Sequence, residues 1–234
     1  MAQSTGARWP AHETDLATDH LLTITQHYEN QCGRHALIHH LRDALDTAGV
    51  RPTSIHRLVT SLPVSTIFTT NYDDLIERVL RETGRRLNVI ISEPELAFWR
   101  EDHVQVIKLC GDLTRPNSII ITQRDFNTYF ATRPRLAERL RATLESKTAL
   151  FLGYSLQDPF FNQIWDNIGL NFGSLRRQGY AVLFDTNPLD ADNLRHRGIH
   201  VIDLESKGGN KSAVLEEWLM TLTDALRSDR SLST

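Results

Sequence analysis

From Val64 onward, short apolar runs alternate with amphipathic stretches, and this alternation limits the possible folds more than any other feature of the chain. The spacing predicts strands over 64–70, near 88–91, and over 104–109, 118–121, 148–152, 180–184 and 199–203. It predicts helices over 73–83, 123–130, 134–146, 159–168, 188–196 and 211–227. Repeated strand–helix alternation builds a mostly parallel sheet covered on both faces, so the expected class is α/β, doubly wound. The runs Ile119-Ile120-Ile121 and Ala149-Leu150-Phe151-Leu152 fit strands buried on two sides. Thr122, three residues before Asp125, and Pro134 and Pro159 at helix starts fit the same boundaries.

The first sixty residues read differently. Residues 1 to about 14 form an irregular lead-in. Leu16, Leu21, Leu22, Ile24 and Tyr28 then mark one helix, and Leu37, Ile38, Leu41 and Leu45 mark a second, stopped by Gly49. Ile55, Leu58 and Val59 mark a short third. The expected organisation is one domain over 1–234: a helical N-terminal elaboration over 1–60 and an α/β core over 61–228.

A chain of 234 residues can bury one large core without staples. A formal charge of −3 gives no bulk electrostatic reason to bind nucleic acid. Two cysteines, Cys32 and Cys110, are too few for a disulfide framework or a four-thiolate zinc site, which points to a reducing compartment. No basic-then-apolar leader and no run of about 18 apolar residues is present, so a cytoplasmic protein without a membrane span is expected. His35 and His39 share a helix face without an acidic or thiol partner that completes a metal motif, and no metal is expected. Arg133, Arg135, Arg139 and Arg141 read as a solvated helix face.

Three segments run from a strand pattern into a polar turn: VSTIFTTNYDDLIERVL from Val64, VQVIKLCGDL from Val104 and ALFLGYSLQDPFF from Ala149. In an open α/β sheet such strand ends meet a crevice, which could gather Asn71, Asp73, Cys110, Asp112, Ser155 and Asp158. Asn71 can donate and accept hydrogen bonds at once, or it can simply cap the helix that follows. Asp73 and Asp74 suit the positive end of that helix. Cys110 reads equally as a buried, apolar-like thiol or as a reactive one, and Lys108 is not expected to activate it. Gly111-Asp112 reads as a strand-ending turn. Gly153-Tyr154-Ser155 follows a buried strand, placed to meet phosphate or ribose. Asn187 reads as a ligand contact or as an Asx turn before Pro188.

TTNYDDLIE, KLCGDL with its following IIIT, and FLGYSLQDP resemble, in order and spacing, the zinc-free, defence-associated sirtuin-like domains of prokaryotic NAD-consuming proteins. The resemblance spans roughly Tyr28 to Leu226 and implies a Rossmann-like fold. It implies NAD as substrate or ligand, cleavage of nicotinamide from NAD in anti-phage defence, and a protein partner or homo-oligomer. Carried over by residue, it makes Asn71 and Cys110 catalytic. Thr70, Tyr72, Asp73, Gly111, Asp112, Gly153, Tyr154, Ser155, Asp158 and Asn187 become the residues that bind NAD or a related nucleotide.

Two departures stand out. The family usually reads KLHGDL, with a His that takes a proton, where this chain has Cys110; and its usual first strand with a Gly-Ala-Gly-x-Ser loop is not found here. A second reading is therefore a catalytically degenerate module that acts as a nucleotide-binding or protein-interaction scaffold.

Overall fold

The computed structural model describes residues 18–45, 49–156 and 159–231. The class is α/β and Rossmann-like, as the alternation predicts, but the strands form two three-stranded parallel sheets, each in its own compact unit. The lead-in, Leu16 and Asp158 lie outside the described residues.

The first unit holds α1 (Thr18–Ala44), β1 (Thr66–Thr69), β2 (Leu87–Ile90) and β3 (Val104–Lys108). It also holds α4 (Gln123–Asn127) and α5 (Tyr129–Thr132). Strand order is β1-β3-β2, with Thr66 opposite Gln105, Thr69 opposite Lys108, and Leu87 opposite Val104. The central strand β3 is buried along its whole length, including its two polar residues. Gln105 is accommodated because its amide donates to the carbonyls of Arg100 at 2.6 Å and His103 at 3.0 Å and accepts from Asn88 at 3.2 Å. Lys108 finds its partners at the strand end, as described below. The two predicted N-terminal helices meet at Gly33, whose φ of 82° and ψ of 162° break α1 between them. Ile38 and Leu41 on the second half pack with Ile119, flanked by Tyr72, Leu113 and Ile121.

The expected strand over 118–121 does not form. A single 3₁₀ turn covers Pro116–Ser118, and the three isoleucines that follow are irregular. Their carbonyls are taken by side chains instead of a ladder: Ile119 by Arg34, Ile120 by Tyr72 at 2.7 Å, and Ile121 by Thr25 at 2.7 Å. Buried backbone must be paired, and here the pairing came from elsewhere in the fold. The expected helix over 123–130 divides into α4 and α5 at Thr128. Its start is as predicted: Thr122 accepts from the Asp125 amide at 3.2 Å, and Asp125 accepts from the amides of Ile121 at 2.9 Å and Thr122 at 3.0 Å.

Two helices run across the division of the chain, α3 (Leu75–Glu82) and α6 (Pro134–Ser146). The second unit contains α2 (Ser54–Ser61), β4 (Ala149–Leu152), α7 (Pro159–Phe172) and β5 (Gly179–Phe184). α8 (Pro188–His196), β6 (Ile199–Leu204) and α9 (Lys211–Ser231) complete it. Strand order is β4-β5-β6; α2 packs on α9 and α8 on β6. Phe151, Phe161 and Trp165 form a cluster of edge-on and stacked rings. Gly179 makes room for it, since a Cβ there would stand 2.8 Å from the Phe151 ring and 3.1 Å from Trp165. The buried Trp165 donates its ring N–H to the Arg197 carbonyl at 2.6 Å. Among the described residues, no helix is long and apolar enough to cross a membrane.

Candidate functional site

Because β1 and β3 are parallel and Thr69 pairs with Lys108, Asn71 and Cys110 each follow by two residues from the same end of one ladder. The first unit therefore brings its two catalytic candidates to one sheet edge. What holds them there is a dense set of bonds to the chain on either side.

Asn71 is exposed, and its amide donates to the Thr69 hydroxyl at 3.0 Å. It is not the cap of α3. That helix begins at Leu75, and Asp73 caps it, accepting from the Leu75 amide at 3.0 Å. Thr70 and Asp73 are half-buried. The Tyr72 ring packs against the Ile38–Leu41–Ile119 cluster while its phenol donates to Ile120. Burial pushes that phenol far above its ordinary range, with help from the charges of Cys110 and Asp125 and opposition from Arg34. It is a neutral strut at any pH of interest.

Cys110 is a buried thiol, 6 % exposed, and its carbonyl accepts from the Ile120 amide at 2.9 Å. Gly111 has φ +93°, and a Cβ on it would stand 2.1 Å from the Ser118 carbonyl oxygen. Only glycine fits there. The carbonyl before Cys110, that of Leu109, accepts from the Tyr129 hydroxyl at 3.1 Å and from Arg133 at 3.2 Å; Arg133 also donates to the Ser118 carbonyl. Arg133 is thus a staple for the Cys110 turn and not part of a solvated face, which corrects the reading of the basic run. It was missed because a helix pattern does not show which arginine turns inward.

The turn ends on a buried ionic group. The Lys108 ammonium, fully buried, lies 2.6 Å from Asp112 Oδ2 and 3.2 Å from Glu77 Oε1. It also donates to the backbone carbonyls of Tyr72, at 3.3 Å, and Asp73. Asp112 spends its other oxygen on Thr114, from the amide at 2.8 Å and the hydroxyl at 2.6 Å. Burial pushes the Asp112 carboxyl up, but the bonds from Lys108 and Thr114 outweigh it and hold the group below its ordinary range. Burial wins at Glu77, whose carboxyl is raised despite the adjacent ammonium. One cation faces two buried carboxyls, and burial raises Glu77 while the bonds from Lys108 and Thr114 lower Asp112. A lysine in an otherwise buried strand, with an aspartate four residues on, was the available signal for this cluster; Glu77 had none.

In the second unit Gly153, Tyr154 and Ser155 follow β4. Gly153 has φ +61° with open space around it, Ser155 is exposed, and the half-buried Tyr154 ring meets Phe151 and Phe161. Leu152 pairs with Val182, so this turn and the one after β5 emerge at the same end of their sheet. There Asn187 caps α8, accepting from the Leu189 amide at 2.9 Å, and Asp185 accepts from the Ser206 amide at 2.9 Å. The Thr186 hydroxyl beside them is buried without a hydrogen-bond partner among the described residues. Elsewhere in the first unit a cleft of about 550 Å³ is lined by Glu93, Arg115, Ser118 and Arg133 among others, and by none of the residues assigned from the sequence to catalysis or nucleotide binding. His39 sits 2.8 Å from Asp43 in an exposed pair.

Parallel sheets whose polar turns all leave from strand C-termini define a Rossmann-like α/β protein with its candidate residues where such folds carry ligands. Residues 65–202, more than half of the chain, match the SIR2-like domain, and the chain belongs to that family. It is similar to the NAD(+) hydrolase ThsA of Acinetobacter baumannii (strain 532279), 34% identical over 183 residues that make up 77% of this chain and 38% of that protein. The NAD(+) hydrolase ThsA of Bacillus cereus (strain MSX-D12) is 28% identical over 208 residues, 85% of this chain and 43% of its own. Defense-associated sirtuin 2 of Bacillus subtilis is 23% identical over 199 residues, 82% of this chain and 20% of its own. The chain thus spans well under half the length of these relatives.

Proposed function

We propose that this chain binds NAD and cleaves nicotinamide from it, as the SIR2-like part of a defence NAD hydrolase. The observation that carries this reading is the pairing of Thr69 with Lys108, which sends the exposed Asn71 and the Cys110 turn out from one sheet edge. Asn71 is the group we assign to hold the ribose hydroxyl or attacking water, since a carboxamide can donate and accept together. Cys110 is assigned the proton-accepting position, with Thr70, Tyr72, Asp73, Gly111 and Asp112 as its walls. Gly153, Tyr154, Ser155, Asp158 and Asn187 are assigned to nucleotide binding. The kinship with proteins named NAD(+) hydrolase supports NAD as the ligand. A cytoplasmic setting and a protein partner or homo-oligomer belong to the same reading.

One observation favours a second reading. Cys110 is buried, and a thiol of ordinary pKa near 8.5 is a poor base unless its thiolate is stabilised. A degenerate, nucleotide-binding module would look the same. Nicotinamide release from NAD by purified protein, measured beside Asn71→Ala, separates the two. We expect slow turnover that falls about 100-fold or more in the variant. Equal silence of both proteins at high enzyme, with NAD binding intact, would establish the scaffold.

A further inference from the structure

The Lys108 ammonium touches both candidate turns of the first unit. On one side it donates to the carbonyls of Tyr72 and Asp73, the two residues after Asn71. On the other it pairs with Asp112, two residues after Cys110. A second tie runs in parallel, from the Leu113 amide to the Tyr72 carbonyl at 3.1 Å. Full burial makes these contacts costly to break, because any partner left behind stays desolvated. Glu77, on the first turns of α3, completes the cage around the ammonium. Resting on the NAD-cleaving reading, we propose that Lys108 is a positioning residue: caged by Glu77 and Asp112, it locks the Asn71 and Cys110 turns in register without touching the substrate.

A misplacement of reacting groups by about 1 Å costs on the order of 100-fold in rate. Lys108→Met should therefore lower kcat about 100-fold while changing KM by less than about threefold. The control is Leu37→Ala, which removes a fully buried side chain of α1 that belongs to neither turn. Assayed at a temperature where it is folded, it should keep kcat within about threefold of wild type. Amide hydrogen exchange, which needs no turnover, gives the second readout. Lys108→Met should speed exchange at residues 71–73 and 110–114, and Leu37→Ala should not. Should Lys108→Met fail to fold, Asp112→Asn weakens the same tie isosterically and is read by the same exchange pattern. If wild type is silent, the NAD-cleaving reading fails and exchange alone decides the role of Lys108. If the variants at 108 or 112 match Leu37→Ala in exchange, the positioning role is wrong.

Discussion

A methyl group at residue 111 would meet the Ser118 carbonyl oxygen at 2.1 Å, on a backbone whose φ of +93° already disfavours any side chain. Gly153 has a similar φ of +61° but nothing within reach of a Cβ. Gly111→Ala is therefore expected to cost about 3 kcal/mol or more, from backbone strain and overpacking together. Gly153→Ala should cost only about 1–2 kcal/mol, for the left-handed backbone alone. Urea denaturation of the two variants checks the difference, and equal losses would mean the Ser118 contact relaxes freely. The sequence showed Gly111 as a turn residue but not what crowds it, because Ser118 comes back to it only after the Asp112–Arg115 turn has closed. Asn71 was conspicuous in its own string, whereas Glu77, the second carboxylate beside Lys108, was visible only once α3 had placed it.

Helix starts were easier to read than the segments between them. Thr122 and Asp125 cap α4 as their spacing indicates, and Thr122→Ala should cost about 1 kcal/mol. Asp125→Ala should cost more, because its carboxylate also accepts the Arg34 guanidinium at 2.8 Å. The ranking of the two denaturation midpoints tests this, and a smaller loss at 125 than at 122 would contradict it. Ile119-Ile120-Ile121 had the composition of a buried strand and was misread as one. What captures its carbonyls are Tyr72, Thr25 and Arg34, which stand 48, 96 and 85 residues away along the chain from the groups they bind. No local pattern reports such partners. α1 shows the converse case: the two helices expected there are present, and they meet at Gly33, which the periodicity did not single out.

Across the whole molecule, the shifted carboxyls give stability a pH profile with two opposed limbs. Asp112 is held below its ordinary value of 3.8 by Lys108 and Thr114, so its contribution is full above that pH and fades as acid reaches its folded pKa. Asp102 is held at about 2, chiefly by His103 and Arg86, and its contribution fades over the same acid range. Glu77 runs the other way: its raised carboxyl contributes below about 4.5 and loses that contribution as pH rises through the folded value. Melting temperature followed from pH 2 to 9 should fall on the acid side, and Asp112→Asn should flatten that limb. Glu77→Gln should lift the alkaline side, and no change there would mean that this carboxyl does not shape that limb. The α/β class was readable because alternation is a global signal; the separation of the strands into β1-β3-β2 and β4-β5-β6 was not, because pairing order leaves no mark on periodicity.

The break at Gly33 lets the two halves of α1 grip one stretch of chain from different angles, Thr25 at the Ile121 carbonyl and Arg34 at Ile119 and Asp125. α1 works as a splint whose bend is written in a single residue. An extra residue inserted between 33 and 38 would swing the downstream half by about 100° and carry Ile38 and Leu41 off their seat. Length in this helix should therefore tolerate less drift than its exposed, polar surface suggests.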